Sequence, residues 1–331
     1  MEKIAKHGIF LISLDFELHW GVRDKRSTKE YSNNLLGARA VIPELLELFQ
    51  QYNIHVTWAT VGFLFYDNFE DLNLSIARKI PVYNKPILNP YLEFDSLGKN
   101  EKEDPYHYAL SLIQLIKSNP NQEIASHTFS HYYCLEDGQD IECFEADLIA
   151  AIEAGKKNGI TIESLVFPRN QHNKKYLDIV KKHGIISFRG NPKSWIYNER
   201  KEEDNSVLLK VFRFLDAYVN LSGKNCYFVS EINPDPPYNI PASRFLYPHI
   251  SALKLFDSLK LKRIFSEMKY AATHNMVYHI WWHPHNFGIN REENLQMLTQ
   301  ILEYFKALHE DYGMESMNMQ ELSSNILRDS K

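Results

Sequence analysis

Short apolar runs alternate with longer amphipathic stretches along the chain, and this pattern predicts strands separated by helices. At four places a helical pattern ends at Asn or Gly directly before an apolar run: residues 52–54, 158–160, 183–185 and 312–314. Asn and Gly tolerate the left-handed backbone conformation that closes a helix, so these junctions predict helix ends that lead into strands. Repeated strand–helix units indicate an α/β fold with a mostly parallel sheet.

The individual elements follow from the spacing of the apolar residues. Seven runs are predicted as strands, at residues 9–14, 54–60, 123–126, 162–167, 185–188, 277–282 and, less regularly, near 208–212. Apolar residues at steps of three or four predict helices through 141–152 and 295–305. Asp104, followed by proline, predicts a helix from there to about residue 116, and Asn173 and Asn290 are candidate helix caps.

Two stretches fit no regular pattern. Residues 67–103 and 191–248 are rich in Pro, Asn, Tyr and charge, and long loops inside a compact domain are usually functional or wrongly assigned. The length of 331 residues would allow two domains, but α/β barrels often run this long as one. Since no linker separates two cores, we predict a single domain over residues 1–331 with insertions near these two stretches.

Composition narrows the class of protein. Apolar residues make up 44% and charged residues 24% of the chain, as in an ordinary globular protein. No stretch approaches the ~20 apolar residues of a membrane helix, so no membrane span is expected. With 42 acidic and 37 basic residues the net charge is −5, which argues against binding nucleic acid through a basic surface.

The cysteines and the first apolar run bear on the cellular compartment. Cys134, Cys143 and Cys226 are odd in number and form no C-x-x-C pair, so neither a disulfide framework nor a thiolate zinc site is expected. The apolar run 9–14 is shorter than that of a signal peptide and leads into Asp15 without a small-residue cleavage site. We therefore predict a cytoplasmic protein.

Candidate metal ligands follow the first and third predicted strands. Asp15 and Glu17 are two residues apart, so an extended chain points both the same way. His127 and His131 are four apart, which places both rings on one side of a helical turn or tight loop. Glu17 and the two histidines would form a set that suits Zn²⁺ and leaves positions open for water, as catalytic metals require. Solvated acids and a chance pair among 14 histidines are the alternatives.

Two further candidates end later strands. Arg169 follows the fourth strand, and an arginine beside carboxylates keeps one of them ionised, although a surface arginine is the alternative. His283 and His285 flank a proline after the strand at 277–282. His283 is in phase with His279 and Trp281 on that strand, which favours it over His285 as the residue at the barrel mouth.

In their order, these motifs resemble the polysaccharide deacetylase (NodB-homology) family, also called carbohydrate esterase family four. The resemblance rests on residues 13–17 (SLDFE), 58–63 (WATVGF), 127–131 (HTFSH), 167–171 (FPRNQ) and 282–285 (WHPH). It implies a deformed, incomplete (β/α) barrel and divalent-metal hydrolysis of an N-acetyl group. The metal is expected to be Zn²⁺, with Co²⁺ or Ni²⁺ as alternatives.

The resemblance also implies a role for each candidate. The metal ligands would be Glu17, His127 and His131. Asp15 would be the catalytic base, Arg169 the residue that holds this base, and His283 the general acid.

The sequence departs from the family pattern at three points. Many members have two adjacent aspartates where this chain has Asp15 and Glu17 separated by one residue, so base and ligand could be exchanged. The arginine motif lacks the usual Arg-x-Pro-Tyr order. No Asp-x-x-Asp-Trp motif orients the acid histidine, for which Trp195 and Asp216 are possible substitutes.

The function predicted from these observations is that of a metal-dependent carbohydrate de-N-acetylase. Its partner would be an N-acetylated polysaccharide or a precursor of one. One alternative is an amide or C–N hydrolase that uses the same barrel on a substrate other than a sugar. Another is a carbohydrate-binding protein with an inactive site. The sequence does not indicate an oligomeric state.

Overall fold

The computed structural model describes residues 6–329. Its strands are β1 (Ile9–Phe16), β2 (Val56–Thr60), β3 (Gln122–Ser126), β4 (Ser164–Val166), β5 (Ser187–Gly190), β6 (Tyr238–Pro241), β7 (Arg244–Phe245), β8 (Val277–Trp282) and β9 (Glu315–Met317). Its helices are α1 (Thr28–Gln51), α2 (Phe69–Leu74), α3 (Leu110–Ser118), α4 (Ile141–Lys157), α5 (Leu177–Lys182), α6 (Val207–Asp216), α7 (Asp257–His274), α8 (Pro284–Phe287), α9 (Arg291–Tyr312) and α10 (Met319–Asp329).

The strands form one sheet in the order β6-β5-β4-β3-β2-β1-β8-β7, and β9 adds to β1. Every pairing between these strands is parallel. Parallel neighbours need a crossover between them, and the helices that separate most of the strands along the chain supply it. The predicted parallel α/β organisation is therefore confirmed.

One extended segment, residues 238–245, bridges the two edges of this sheet. Its first half is β6, which pairs with β5, and its second half is β7, which pairs with β8. Between them, Ala242 N–H donates to the carbonyl of Gly190 and Ser243 N–H donates to that of His279, at 2.9 and 2.7 Å. Because one short segment contacts both edges, the sheet curls into an incomplete (β/α) barrel, as predicted.

Alternate residues of β1 belong to two different cores. Phe10, Ile12 and Leu14 pack in the layer between the sheet and the helices. Ile9 and Leu11 belong to a second cluster inside the curl, to which α10 contributes apolar side chains. By the same alternation, later residues of β1 face the interior towards the carboxyl end of the barrel. Helix α10 covers the opposite end of the barrel. The backbone N–H of its first residue, Met319, donates to the hydroxyl of Thr57 near the start of β2.

The strand predictions hold with small shifts. All six regular apolar runs form strands, whose ends differ from the predicted ones by at most two residues, and 277–282 coincides with β8. The four predicted helix ends have left-handed residues, with φ of 51° at Asn53, 65° at Gly159, 82° at Gly184 and 70° at Gly313. The short strands β6, β7 and β9 were not predicted.

Two element predictions are wrong. Residues 208–212 lie in α6, not in a strand, since Ser206 caps a helix there by accepting from the N–H of Leu209. The helix predicted from Asp104 begins only at Leu110, because the Asp104 carboxylate accepts from a turn around His107 instead. Asn173 does cap a short 3-10 turn, whereas Asn290 makes no side-chain capping bond.

The two irregular stretches differ in what they contribute. Residues 67–103 contain α2 and 3-10 turns, while 191–248 also supplies α6 and the bridging strands. The single-domain division stays a prediction. In the part of the chain that the structure describes, no helix is both long and apolar enough to cross a membrane.

Candidate active site

Polar side chains from several strands meet at the carboxyl end of the barrel, where parallel barrels carry their functional groups. Asp15 faces the interior near the end of β1, and Glu17 follows that strand directly. The loop after β3 brings His127 and His131 close to Glu17, and His283 follows β8 and faces both acids. Five of the six predicted site residues therefore lie together.

Glu17, His127 and His131 form a buried cluster. Oε2 of Glu17 lies 3.3 Å from Nε2 of His127 and 3.0 Å from Nε2 of His131. One possible ligand atom from each residue lies within 4.8 Å of the others, a spacing at which the three could hold one metal ion. The predicted set is thus assembled by the fold, and its occupation by a metal stays a prediction.

The hydrogen bonds of His127 show that this cluster fits a cation. Nδ1 lies 2.8 Å from the carbonyl of Val166, and because a carbonyl only accepts, Nδ1 carries the hydrogen. Nε2 of the neutral ring is then a lone pair, and it is buried without a hydrogen-bond partner among residues 6–329. Burial lowers the pKa of His131 to about 4 against the opposing charge of Glu17, which leaves this ring neutral and able to ligate.

The loop that carries the two histidines has an uncommon backbone. Thr128 and His131 both lie in the left-handed region, with φ of 61° and 58°. Such residues cost about 1–3 kcal/mol and persist only where other contacts hold them. Here the Asp147 carboxylate of α4 accepts from the N–H groups of Phe129 and Ser130, at 2.6 and 3.1 Å. The loop is therefore fixed by a side chain outside the site.

Arg189, at the end of β5, holds Asp15. Its two terminal nitrogens donate to the two carboxylate oxygens of Asp15, at 2.7 and 2.8 Å. The guanidinium is fully buried and lies 4.1 Å from the centre of the Trp281 ring. Burial is the largest single influence and would raise the pKa of Asp15, but the charge and hydrogen bonds of Arg189 together with the charges of His127 and His283 outweigh it, and the net shift is downward. Asp15 is therefore held as a carboxylate.

The prediction that Arg169 holds Asp15 is wrong. Arg169 donates to Asp24 and lies over the ring of Tyr133, 4.2 Å from its centre. The physical reason is the backbone, since the turn after β4 places Arg169 in the left-handed region, with φ of 55°, and turns the side chain towards Asp24. Arg189 was missed because the predicted strand 185–188 ends one residue too early. Alternation along β5 would have pointed Ser187 and Arg189 inward together.

His283 and His285 occupy different environments. Nε2 of His283 lies 3.5 Å from Oε1 of Glu17 and 3.7 Å from Oδ2 of Asp15, and its side chain is 22% exposed. His285 is buried against the His283 ring, with the two ring centres 4.9 Å apart. Burial, followed by the nearby charge of His283, lowers the pKa of His285 to about 3. Of the two, His283 reaches open space.

The residue that orients His283 is neither of the substitutes considered from the sequence. Nδ1 of His283 lies 3.0 Å from Oδ1 of Asn286, three residues further on. Asp216 is buried in ion pairs with Arg244 and Arg263, and Trp195 is 61% exposed. Asn286 was missed because no spacing rule distinguishes it from other residues that follow a strand.

A cavity of about 470 Å³ opens beside His283. Its aromatic walls are Phe245, Tyr247, Trp281 and Tyr197. Its basic residues are Lys25, Arg169, Arg200 and Arg213. Lys25 and Arg169 pair with acids, but Arg200 and Arg213 form no ion pair within residues 6–329. Burial and the neighbouring charge of Arg200 lower the pKa of Arg213, which the charge of Glu202 partly offsets. Glu199 is the acidic residue in the lining and lies 2.9 Å from His172, so basic residues outnumber acidic ones around the cavity.

No model of a known protein family matches the sequence, and no curated protein matches it in sequence. Solved structures do match. A protein described as a polysaccharide deacetylase from Mycobacterium smegmatis superposes with a TM-score of 0.59 at 12% identity, over 97% of this chain and 90% of that one. The allantoinase Puue gives 0.57 at 11% identity, over 98% and 91%. A second protein described as a polysaccharide deacetylase, from Pseudomonas aeruginosa PAO1, gives 0.56 at 11%, over 98% and 92%.

At these identities the similarity shows the fold alone. The chain has the NodB-homology fold of the polysaccharide deacetylases, as its motifs implied. An allantoinase shares this fold to the same degree, so the chemistry must be argued from the site itself.

The pairing of Asp15 predicts how its titration responds to two arginine variants. In Arg189→Met, burial is opposed only by the charges of His127 and His283, so the pKa of Asp15 should rise and the carboxylate should take up its proton at higher pH. Arg169→Met removes an arginine that contacts Asp24 instead and should leave this titration unchanged. The measurement is ¹³C NMR of the Asp15 carboxyl carbon against pH in metal-free protein. Equal shifts in both variants would contradict the pairing.

Proposed function

We propose that this chain is a metal-dependent hydrolase that removes an N-acetyl group from a carbohydrate. The observation that carries the proposal is the buried Glu17, His127 and His131 cluster beside a carboxylate, Asp15, that an arginine keeps ionised. His283 faces both acids from the wall of the cavity, so a ligand cluster, a base and an acid surround one point. Two neighbours in fold are described as polysaccharide deacetylases.

A metal would be held by Glu17, His127 and His131, whose neutral imidazoles and carboxylate suit Zn²⁺, Co²⁺ or Ni²⁺. When bound, such an ion supplies Lewis acidity and lowers the pKa of water. Asp15 accepts the proton of the attacking water, and Arg189 keeps it anionic for that purpose. Arg189 occupies one side of the carboxylate, which leaves the remaining lone pairs of its oxygens free to accept.

His283 donates a proton to the departing nitrogen, since an unprotonated amine is a poor leaving group. Its Nδ1–H donates to Asn286, which fixes the ring and directs Nε2 towards the acids. His285 does not suit this role because its pKa of about 3 leaves it unprotonated at neutral pH. The products are acetate and an amino sugar.

The size and lining of the cavity suit a sugar as the substrate, and the basic residues in the lining indicate the charge of that sugar. Its volume of about 470 Å³ lies in the range of small-molecule sites, and its aromatic walls suit the apolar faces of sugar rings. Within residues 6–329, Arg200 and Arg213 form no ion pair with an acid beside this space. We infer that the N-acetylated sugar carries a carboxylate or phosphate. A cyclic amide is the second candidate, which the similarity to an allantoinase favours.

The substrate class is tested by measuring acetate release from neutral N-acetylated sugars and from the same sugars with a carboxylate or phosphate. The charged sugars should have kcat/KM higher by about tenfold or more, since a hydrogen bond to a charged group contributes about 1.5–3 kcal/mol. Chelation should abolish release and Zn²⁺ should restore it. Full activity after metal removal, or ring opening of allantoin without acetate release from any sugar, would contradict the proposal.

Replacing one carboxylate at a time with an amide tests which of the two acids is the catalytic base and which is the metal ligand. Asp15→Asn should keep its metal and lose activity by at least ~10²-fold, because an amide cannot accept the proton at neutral pH. Glu17→Gln should lose metal affinity, since it removes the charge of one ligand. Metal content and acetate release are measured on both variants. The reverse pattern would exchange the two roles.

The acid is tested with two neighbouring histidines as a matched pair. His283→Ala should cut turnover on an acetamide by at least ~10²-fold, whereas the loss should shrink on an activated acetyl ester, whose leaving group needs no proton. The alkaline limb of the pH–rate profile should disappear in His283→Ala and remain in His285→Ala. A selective amide defect in His285→Ala alone would make His285 the acid. If both variants hydrolyse the amide normally, neither His283 nor His285 is the general acid.

A further inference from the structure

A second cluster of possible metal ligands lies outside the candidate active-site set. His19 belongs to the 3-10 turn after β1, Glu93 to a turn of the irregular stretch 67–103, and His107 to the segment before α3. Nδ1 of His19 lies 2.8 Å from Nε2 of His107. Oε2 of Glu93 lies 3.7 and 3.9 Å from these two nitrogens.

The partners of His107 fix its tautomer. Both carboxylate oxygens of Asp104 lie within 2.9 Å of Nδ1. The same oxygens accept from the N–H groups of Gly98 and Tyr106, at 3.0 and 3.3 Å, so they act as acceptors. Nδ1 of His107 therefore carries the hydrogen, and Nε2 of the neutral ring is a lone pair directed at His19.

The partner of His19 fixes the opposite end of its ring. Nε2 of His19 lies 2.9 Å from the carbonyl oxygen of Arg26, which can only accept. Nε2 thus carries the hydrogen, and Nδ1 of the neutral ring is a lone pair directed at His107. With both rings neutral, two lone pairs face each other at 2.8 Å, a repulsive arrangement that either a shared proton or a metal cation relieves.

We propose that a divalent cation of the Zn²⁺ class binds among His19, His107 and Glu93. Two imidazoles and a carboxylate are ligands that Zn²⁺ prefers, and three ligands leave a position for water. Asp104 behind His107 makes the carboxylate–histidine arrangement that orients metal-bound imidazoles. Arg23 lies 3.7 Å from Oε1 of Glu93, which leaves Oε2 as the ligand atom on the side of the histidines.

The surrounding contacts hold this cluster in place. The indole N–H of Trp20 donates to the carbonyl of His107 at 2.9 Å, and the N–H of His19 donates to that of Tyr106 at 3.2 Å. Both imidazoles are buried, whereas Glu93 is 27% exposed and gives a path from solvent. A bound ion would tie the stretch 67–103 to the turn that follows Glu17, at the carboxyl end of the barrel. The proposal does not depend on the function proposed above, because the two ligand sets share no residue.

The test isolates the second cluster by removing the first. The variant His127→Ala/His131→Ala lacks the active-site ligands, and it should still bind about one Zn²⁺ per chain through the three remaining ligands. Adding Glu93→Gln, which is partly exposed and so compatible with folding, should weaken this binding by about tenfold or more, and Asp104→Asn should do so by about 10–100-fold. His249→Gln is the matched control, since His249 is a buried histidine bonded to Asp257 outside both clusters.

The measurements are Zn²⁺ per chain after dialysis, competition with a chromophoric chelator, and the visible spectrum of the Co²⁺ form. Retention of the ion in the control and its loss with Glu93→Gln would support the site. Absence of Zn²⁺ binding in His127→Ala/His131→Ala would overturn it, as would binding that is unaffected by both additional variants. If the site is overturned in this way, Nδ1 of His19 and Nε2 of His107 share a proton instead of binding a metal ion. Loss of acetate release has no bearing on this outcome, so the two proposals can fail separately.

Discussion

The ion pair between Arg189 and Asp15 is the interaction on which the site depends. A charge buried in a low-dielectric interior costs several kcal/mol unless it is paired, so a guanidinium inside the barrel needs acceptors on every side. Asp15, Ser13 and Asn170 supply them to the two terminal nitrogens, Trp281 covers one face, and Nε alone lacks a hydrogen-bond partner within residues 6–329. β1 and β5 are not neighbours in the sheet, so this pair can form only because the sheet curls.

The same electrostatic arrangement recurs in both histidine clusters. Each of His127, His19 and His107 donates one ring hydrogen to a carbonyl or carboxylate, and this leaves its other nitrogen as an acceptor that faces more acceptors. Ring nitrogens and carboxylate oxygens held together in this way repel each other unless a proton or a metal cation lies between them. The hydrogen-bond partners behind the rings, rather than the ligands alone, therefore indicate where a cation belongs.

Sequence periodicity was sufficient for residues whose direction follows from a regular element. Asp15 and Glu17 share a side because a strand alternates, and the four-residue spacing of His127 and His131 brings both towards Glu17. Periodicity failed where extending a strand by one residue changes the direction in which a side chain points. Arg169 and Arg189 both follow predicted strands, yet only β5 extends far enough to keep its arginine in the inward series.

Backbone conformation explains why the rest of the site was beyond prediction. Leu18, Thr128 and Arg169 have positive φ although they do not belong to the residue types that adopt it readily, and His131, a more tolerant type, has it too. Local propensity argues against this conformation at Leu18, Thr128 and Arg169, and tertiary contacts such as those of Asp147 with the loop after β3 enforce it. Such turns redirect side chains away from the course that alternation would give them. These turns cluster around the proposed metal ligands because loops must leave regular geometry to bring side chains from separate strands together. The positions with proposed chemical roles are therefore those about which sequence patterns give the least information.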